Sequence, residues 1–319
     1  MEENRNECIL YLVVPCYNEE EVLPDTAGKL ETKMQQLVEN HLISGDSRIC
    51  FVDDGSKDGT WMLIEQLCES REGITGIRLS RNRGHQNAVL AGMMAVKGEC
   101  HAVITLDADL QDDIHVIDDM VAAWQKGAEI VYGVRSSRKK DSCLKRDTAL
   151  LYYKLLEKMG VEIVYNHADY RLMSRRALEA LEEFKEVNLF LRGIVPLLGF
   201  QTETVYYERK ERLFGESKYP LRKMIALAVD GITSFSIKPM RWIGFLGGIL
   251  LLFSVLLGIH MLIACVLGHP VCWQEGIFAS LWAVGGLQLA AAGILGEYIG
   301  KIYMETKRRP RYFIEKRIG

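Results

Sequence analysis

The chain has 319 residues, a formal net charge of −3 and 49% hydrophobic residues. That length fits one large domain with an appendage, or two ordinary domains, and the near-balanced charge gives no reason to expect a nucleic-acid partner. Eight scattered cysteines form no Cys-x-x-Cys pair and no His/Cys ligand spacing, so neither a zinc site nor a disulfide framework is indicated. Residues 1–7 are polar, and no signal peptide is expected there.

In chain order, residues 9–15 form an apolar run with strand character, and 20–40 carry their apolar residues on one side, as a helix does. A second strand is expected at 48–53, a helix at 59–70, a short strand at 74–79 and a helix at 86–96. Residues 102–106 give a further strand, 114–126 a helix and 129–134 a strand. This βαβα alternation implies an α/β fold with a mostly parallel sheet, whose ligands bind off the carboxyl ends of its strands. The chain has no Gly-x-Gly-x-x-Gly and no Walker A loop, which argues against dinucleotide oxidoreductases and P-loop enzymes.

Beyond the α/β region, residues 219–240 mix apolar and basic side chains, and helical spacing puts Leu221, Met224, Ile225 and Ala228 on one face. An amphipathic helix in the lipid interface is expected, with packing on the soluble domain as the alternative. Residues 242–267 then run 26 positions without Lys, Arg, Asp or Glu, and 276–296 run 21. Each is long enough to cross a bilayer. The loop between them lacks Lys and Arg, whereas Arg241 and the segment from Lys301 onward are basic. The positive-inside bias therefore predicts an integral protein of the plasma membrane, with two transmembrane helices and both termini cytoplasmic. Gly244-x-x-x-Gly248 and Gly296-x-x-x-Gly300 permit close helix packing and favour a homo-oligomer.

Chemistry concentrates where strands end. Val103-Ile104-Thr105-Leu106 runs into Asp107-Ala108-Asp109-Leu110-Gln111-Asp112. Strand alternation would put Asp107 and Asp109 on one side, where like charges repel unless a cation lies between them. A hard divalent ion, Mg²⁺ or Mn²⁺, completed by substrate phosphates, fits that pair. The first strand ends in Pro15-Cys16-Tyr17-Asn18-Glu19, the second in Asp53-Asp54-Gly55-Ser56. An aromatic ring beside carboxylates suits a nucleoside. Arg135 is the first choice to meet an acceptor phosphate, with Lys145 or Arg146 second.

Together with Arg81-Asn82-Arg83-Gly84-His85-Gln86, Ala168-Asp169-Tyr170-Arg171-Leu172, Phe190-Leu191-Arg192-Gly193 and Gly215-Glu216-Ser217-Lys218-Tyr219-Pro220, these segments carry a resemblance. The chain resembles the inverting family 2 glycosyltransferases of GT-A fold. Within them it is similar to the polyprenyl-phosphate glycosyltransferases, the group of dolichol-phosphate mannose synthase and the bactoprenol glucosyltransferases. The resemblance implies that Pro15, Tyr17, Glu19 and Asp54 hold the nucleoside of a nucleotide sugar. It implies that Asp107, Asp109 and Gln111 hold the metal, and that Asp169, beside Arg171, is the catalytic base. Arg192 and the Arg209/Arg212/Lys218 group would hold the diphosphate. A phosphomonoester acceptor is already mostly anionic at neutral pH, so Asp169 would orient groups as much as remove a proton. Where relatives carry Ser after the Lys-Arg pair, this chain has Ala149 next to Thr148. His85, at a helix start, could touch sugar or phosphate, with a structural role as the more ordinary reading.

The expected organisation is a catalytic GT-A domain at 1–215, an interfacial segment at 216–241, a transmembrane hairpin at 242–303 and a basic tail at 304–319. The expected reaction moves a sugar, carried on UDP, to polyprenyl (undecaprenyl) phosphate, for cell-envelope glycan modification. Two helices are too few for transport, so a separate flippase and a downstream transferase are expected as partners. Two alternatives remain. A processive polysaccharide synthase usually carries Gln-x-x-Arg-Trp, where this chain has Lys238-Pro239-Met240-Arg241-Trp242. A catalytically silent scaffold binding nucleotide sugars would not need the intact Asp107/Asp109/Asp169 set.

Overall fold

A computed structural model describes residues 8–136, 167–187, 189–208, 233, 238–267 and 273–319. The chain divides into two compact units. The first holds strands β1 (Leu10–Cys16), β2 (Arg48–Asp53), β3 (Ile74–Leu79), β4 (Ala102–Thr105), β5 (Ile130–Arg135), β6 (His167–Ser174), β7 (Thr202–Tyr207) and β8 (Ile314–Ile318). Its helices are α1 (Leu23–Glu39), α2 (Thr60–Ser70), α3 (His85–Val96), α4 (Ile117–Gln125), α5 (Arg175–Glu182) and α6 (Leu191–Leu197). The second unit holds two long helices, α7 (Lys238–Val266) and α8 (Trp273–Lys307), which pack on each other.

All eight strands form one sheet in the order β7-β5-β6-β4-β1-β2-β3-β8. The pairs β1/β2, β1/β4, β2/β3 and β5/β7 are parallel, while β4/β6, β5/β6 and β3/β8 are antiparallel. This is the α/β, mostly parallel arrangement that the alternating periods predict. Strand β1 is buried along its full length, as a central parallel strand covered on both faces must be. Helix α1 turns Leu23, Ala27, Leu30, Met34 and Leu37 inward, the spacing of a single helical face. It begins at Leu23 rather than at residue 20 because Pro24 fits a first turn and no later one.

Gly55 ties the β2 turn to the loop after β3. Its φ is +66°, and a Cβ there would lie 2.6 Å from the backbone of Arg81 and Asn82. Left-handed strain and a backbone clash therefore act together in Gly55→Ala, which should lose at least about 2 kcal/mol of stability. Thermal unfolding checks this. A variant as stable as the parent would refute the close approach.

Three features depart from the sequence expectation. The aspartate pair is not on the strand, since β4 ends at Thr105 and the chain then turns, with Leu110 left-handed at φ +44°. Strand alternation is thus not what groups Asp107 with Asp109. Second, Asp169 and Arg171 lie on a strand, β6, that runs antiparallel to β4. Third, the segment 304–319 is not simply a basic tail. Helix α8 continues to Lys307, and β8 then pairs with β3, Gly76 opposite Ile318 and Leu79 opposite Ile314. Its cations are engaged: Lys316 pairs with Glu65 at 2.7 Å, Arg317 pairs with Glu99, and Arg311 donates to the Phe184 carbonyl.

Among the described residues, no helix is long and apolar enough to cross a membrane. The described set leaves out the side chains of several positions in α7 and α8, and in the complete sequence residues 242–267 lack any Lys, Arg, Asp or Glu. Most of the predicted interfacial segment lies outside the described residues, as do Lys145, Arg146, Thr148, Ala149, Arg209, Arg212 and Lys218.

Candidate active site

The carboxyl end of β4 lies beside the start of the antiparallel strand β6, with β1 and then β2 next in the sheet, and the predicted chemistry gathers at this edge. The β4/β6 register sets Thr105 opposite Arg171. Beyond Thr105 the chain turns, and Asp107 and Asp169 come together at His85. The Thr105 hydroxyl also donates to the Asp169 carbonyl, which fixes the strand end.

His85, the first residue of α3, joins the two aspartates. Its Nε2 lies 3.5 Å from Asp107 Oδ1 and 3.6 Å from Asp169 Oδ2. Burial alone would lower the imidazole pKa. The hydrogen bond to Asp169 and the charges of Asp107 and Asp169 outweigh burial and push it up to about 9. Read more ordinarily as structural from sequence, His85 is a member of the site. The available signal was its place directly after Gly84, whose φ of +88° presents the helix start.

Asp169 is surrounded by cations. Arg171 Nη2 donates to its Oδ1 at 2.7 Å, Arg192 Nε to the same oxygen at 3.2 Å, and Arg192 Nη2 to Oδ2 at 3.1 Å. Burial by itself would raise this carboxyl. Arg192, the His85 hydrogen bond and Arg171 overcome it and hold the carboxyl well below the usual range. Arg171 is 1% exposed and also donates to the Leu191 carbonyl at 3.4 Å. It supports Asp169 from behind the cleft. Arg192 is partly exposed on its open side.

Around the metal turn, Asp109 Oδ1 accepts the Gln111 N–H at 3.2 Å, and Gln111 is buried. Desolvation, then the carboxylates of Asp112, Asp169 and Asp109, push the Asp107 carboxyl up, against the pull of His85. A divalent cation would relieve that crowding. Among the described residues no three His, Cys, Asp or Glu side chains are grouped closely enough to hold an ion alone.

The first-strand loop is tied to the second. Asn18 N donates to Ser56 Oγ at 3.0 Å, Glu19 N to Thr60 Oγ1 at 2.9 Å, and Lys57 N to Asn18 Oδ1 at 2.9 Å. Pro15 is buried in β1, while the Tyr17 ring is 36% exposed beyond it, open to a stacking partner. Asp54 is 2% exposed, and its two oxygens accept the N–H groups of Arg83 (2.7 Å) and Gly84 (2.9 Å). Its visible task is to shape the loop that delivers His85. Arg135, at the end of β5, donates to Asp112 Oδ1 at 3.3 Å, and the Tyr207 hydroxyl donates to the same oxygen at 2.6 Å. Arg135 is thus held at the cleft, partly exposed, by a buried carboxylate.

A GT-A type α/β sheet with an acidic turn and a cation-ringed aspartate at its carboxyl edge defines a glycosyltransferase, an enzyme that transfers a sugar. The chain belongs to glycosyl transferase family 2, whose profile, described as "Glycosyl transferase family 2", matches residues 11–182. The uncharacterized glycosyltransferase YkoT of Bacillus subtilis is 51% identical over 96% of this chain and 91% of its own length. The bactoprenol glucosyl transferase of Shigella phage SfX is 42% identical over 96% of this chain and 98% of its own. The prophage bactoprenol glucosyl transferase homolog of Escherichia coli is 38% identical, again over 96% and 98%.

Proposed function

We propose that this enzyme transfers a sugar from a nucleotide diphosphate sugar, UDP-linked, to polyprenyl phosphate at the cytoplasmic face of the plasma membrane, with inversion at the anomeric carbon. The convergence of Asp107 and Asp169 on His85, with Arg192 beside Asp169, carries the reading. In this reading a metal-type carboxylate lies beside cations suited to phosphate. The near full-length similarity to bactoprenol glucosyl transferases supports the polyprenyl acceptor.

Each side chain has a task. Tyr17, beyond Pro15 and Glu19, stacks on the nucleobase, and Asp54 shapes the wall behind it. Asp107, Asp109 and Gln111 would hold Mg²⁺ or Mn²⁺, which when bound supplies charge neutralisation for the departing nucleoside diphosphate. Arg192 and Arg135 offer guanidinium groups to phosphate oxygens, the geometry that guanidinium matches best. Arg212 and Lys218 would add to the diphosphate side.

Helices α7 and α8 span the bilayer in this reading. At about 1.5 Å per residue, 29 residues reach roughly 44 Å, beyond the ~30 Å hydrocarbon core. The chain re-enters the first unit's sheet at β8, and a return to the starting side requires an even number of crossings, which supports a two-helix hairpin. Small-residue spacings in both helices support a homo-oligomer. A flippase and a downstream transferase would carry the product further.

Membranes containing the protein, given polyprenyl phosphate, Mg²⁺ or Mn²⁺ and a panel of labelled nucleotide sugars, should yield a lipid-extractable label with a UDP-sugar. No extractable label with any donor would sink the proposal. Elongating polymer instead of a single transfer would favour a processive synthase.

A further inference from the structure

Helix α1 buries two polar side chains, Thr26 and Lys33, among its apolar ones. Both reach the same stretch of chain. Lys33 Nζ pairs with Asp118 Oδ2, in the first turn of α4, at 2.7 Å. Thr26 Oγ1 donates to the Ala108 carbonyl at 2.6 Å, across 82 positions of sequence, and both residues are buried.

A threonine inside a helix has a nearer acceptor, the carbonyl one turn back. Thr32, exposed in the same helix, takes it, donating to the Gly28 carbonyl at 2.9 Å. The Thr26 hydroxyl is instead spent on the residue between Asp107 and Asp109. A buried backbone carbonyl needs such a partner, since leaving it unpaired costs more than a made bond contributes. The turn also needs outside support. Leu110 stands left-handed at φ +44°, a conformation that persists in a leucine only where the surroundings impose it. On one side of the turn, Leu106 N donates to the Val13 carbonyl at 3.2 Å, and on the other the Tyr170 hydroxyl donates to the Asp113 carbonyl at 3.1 Å. Thr26 holds the peptide between those two ties.

The Ala108 carbonyl belongs to the planar peptide unit that carries Asp109, so turning that plane swings Asp109 relative to Asp107. We infer that Thr26 is a positioning residue for the divalent cation, its hydroxyl setting the aim of the two carboxylates through the Ala108 carbonyl. The inference rests on the proposed metal role of that pair. It assigns a task to a side chain of α1, the helix that continues directly from the first-strand loop and that supplies no ligand of its own.

The test measures Mn²⁺ binding to the full-length protein by electron paramagnetic resonance, in the presence of UDP. Thr26→Val keeps the shape and loses the hydroxyl, and should raise the Mn²⁺ Kd about 5- to 10-fold, the size that one neutral hydrogen bond commands. Thr26→Ser keeps the donor and should stay within about twofold of the parent. Lys33→Met removes the other buried tie of α1, and should lower the melting temperature while leaving the Mn²⁺ Kd within about twofold. In transfer assays, the Mn²⁺ concentration giving half-maximal rate should rise with the Kd in Thr26→Val, with kcat at saturating Mn²⁺ within about threefold of the parent.

An unchanged Kd in Thr26→Val, an equal loss in Thr26→Ser, or an equal loss in Lys33→Met would overturn the inference. Should Thr26→Val fail to fold, Thr26→Ala against Thr26→Ser makes the same comparison, since that pair differs in the hydroxyl alone. Mn²⁺ binding that Asp109→Ala abolishes and Thr26→Val leaves intact sinks the inference and spares the metal reading. A parent that binds no Mn²⁺ with either UDP or GDP sinks both.

Discussion

Asp109→Ala should cut turnover by about 10³-fold, equivalent to roughly 4 kcal/mol of transition-state stabilisation, while the protein stays folded. The size follows from the task. A departing nucleoside diphosphate concentrates negative charge, and a fixed cation held in the cleft is the largest available source of stabilisation. Asp109 is only partly buried, and its Oδ1 accepts the Gln111 N–H. Asp107→Ala should be as damaging, and it would also leave His85 with Asp169 alone. Chelation with EDTA should abolish transfer by the parent, and added Mg²⁺ or Mn²⁺ should restore it. Full activity in Asp109→Ala, or turnover indifferent to chelation, would remove these residues from the metal role.

The elements legible in the sequence are those whose signal is local. Strands β1, β2, β3, β4 and β5 and helices α1 to α4 each carry their own periodicity, and each was expected within a few residues of where it stands. The acidic turn and the first-strand loop could be found because they punctuate apolar runs. What was not legible depends on pairing between distant segments. No local pattern says that β6 runs antiparallel beside β4, yet that pairing brings Asp169 to the end of β4, next to the turn that carries Asp107. Arg171, by contrast, was legible as a partner for Asp169 from its place two residues on, and it donates to that carboxylate and to the Leu191 carbonyl. Asp54 reads as a ligand for a nucleoside. In the fold its oxygens are taken by the loop that starts α3. His85 was ambiguous for the converse reason, since an isolated imidazole at a helix start becomes informative only when two carboxylates close on it.

Truncation after Arg308 should lower the melting temperature of the first unit by roughly 6–15 °C and promote association. Strand β8 is the edge of the sheet, and four residue pairs join it to β3. At about 1 kcal/mol per net hydrogen bond, its loss costs roughly 3–4 kcal/mol, and about 2–4 °C per kcal/mol applies to a domain near 200 residues. The residues it leaves behind make the edge worse. Ile74, Ile77 and Leu79 are buried, and an uncovered strand with such residues invites pairing with another chain. The ion pairs of Lys316 with Glu65 and Arg317 with Glu99 lie on exposed groups and add little, so Lys316→Ala with Arg317→Ala should shift the midpoint by no more than about 2–3 °C. That contrast separates the ladder from the charges. It also bears on the membrane reading, because basic residues near a hydrophobic segment are ordinarily taken as marking the cytoplasmic face. Here Lys316, Arg317 and Arg311 are held by the first unit, so their charge serves the sheet. An unchanged melting curve on truncation would show that β8 is dispensable to the fold and would weaken the even-crossing argument with it.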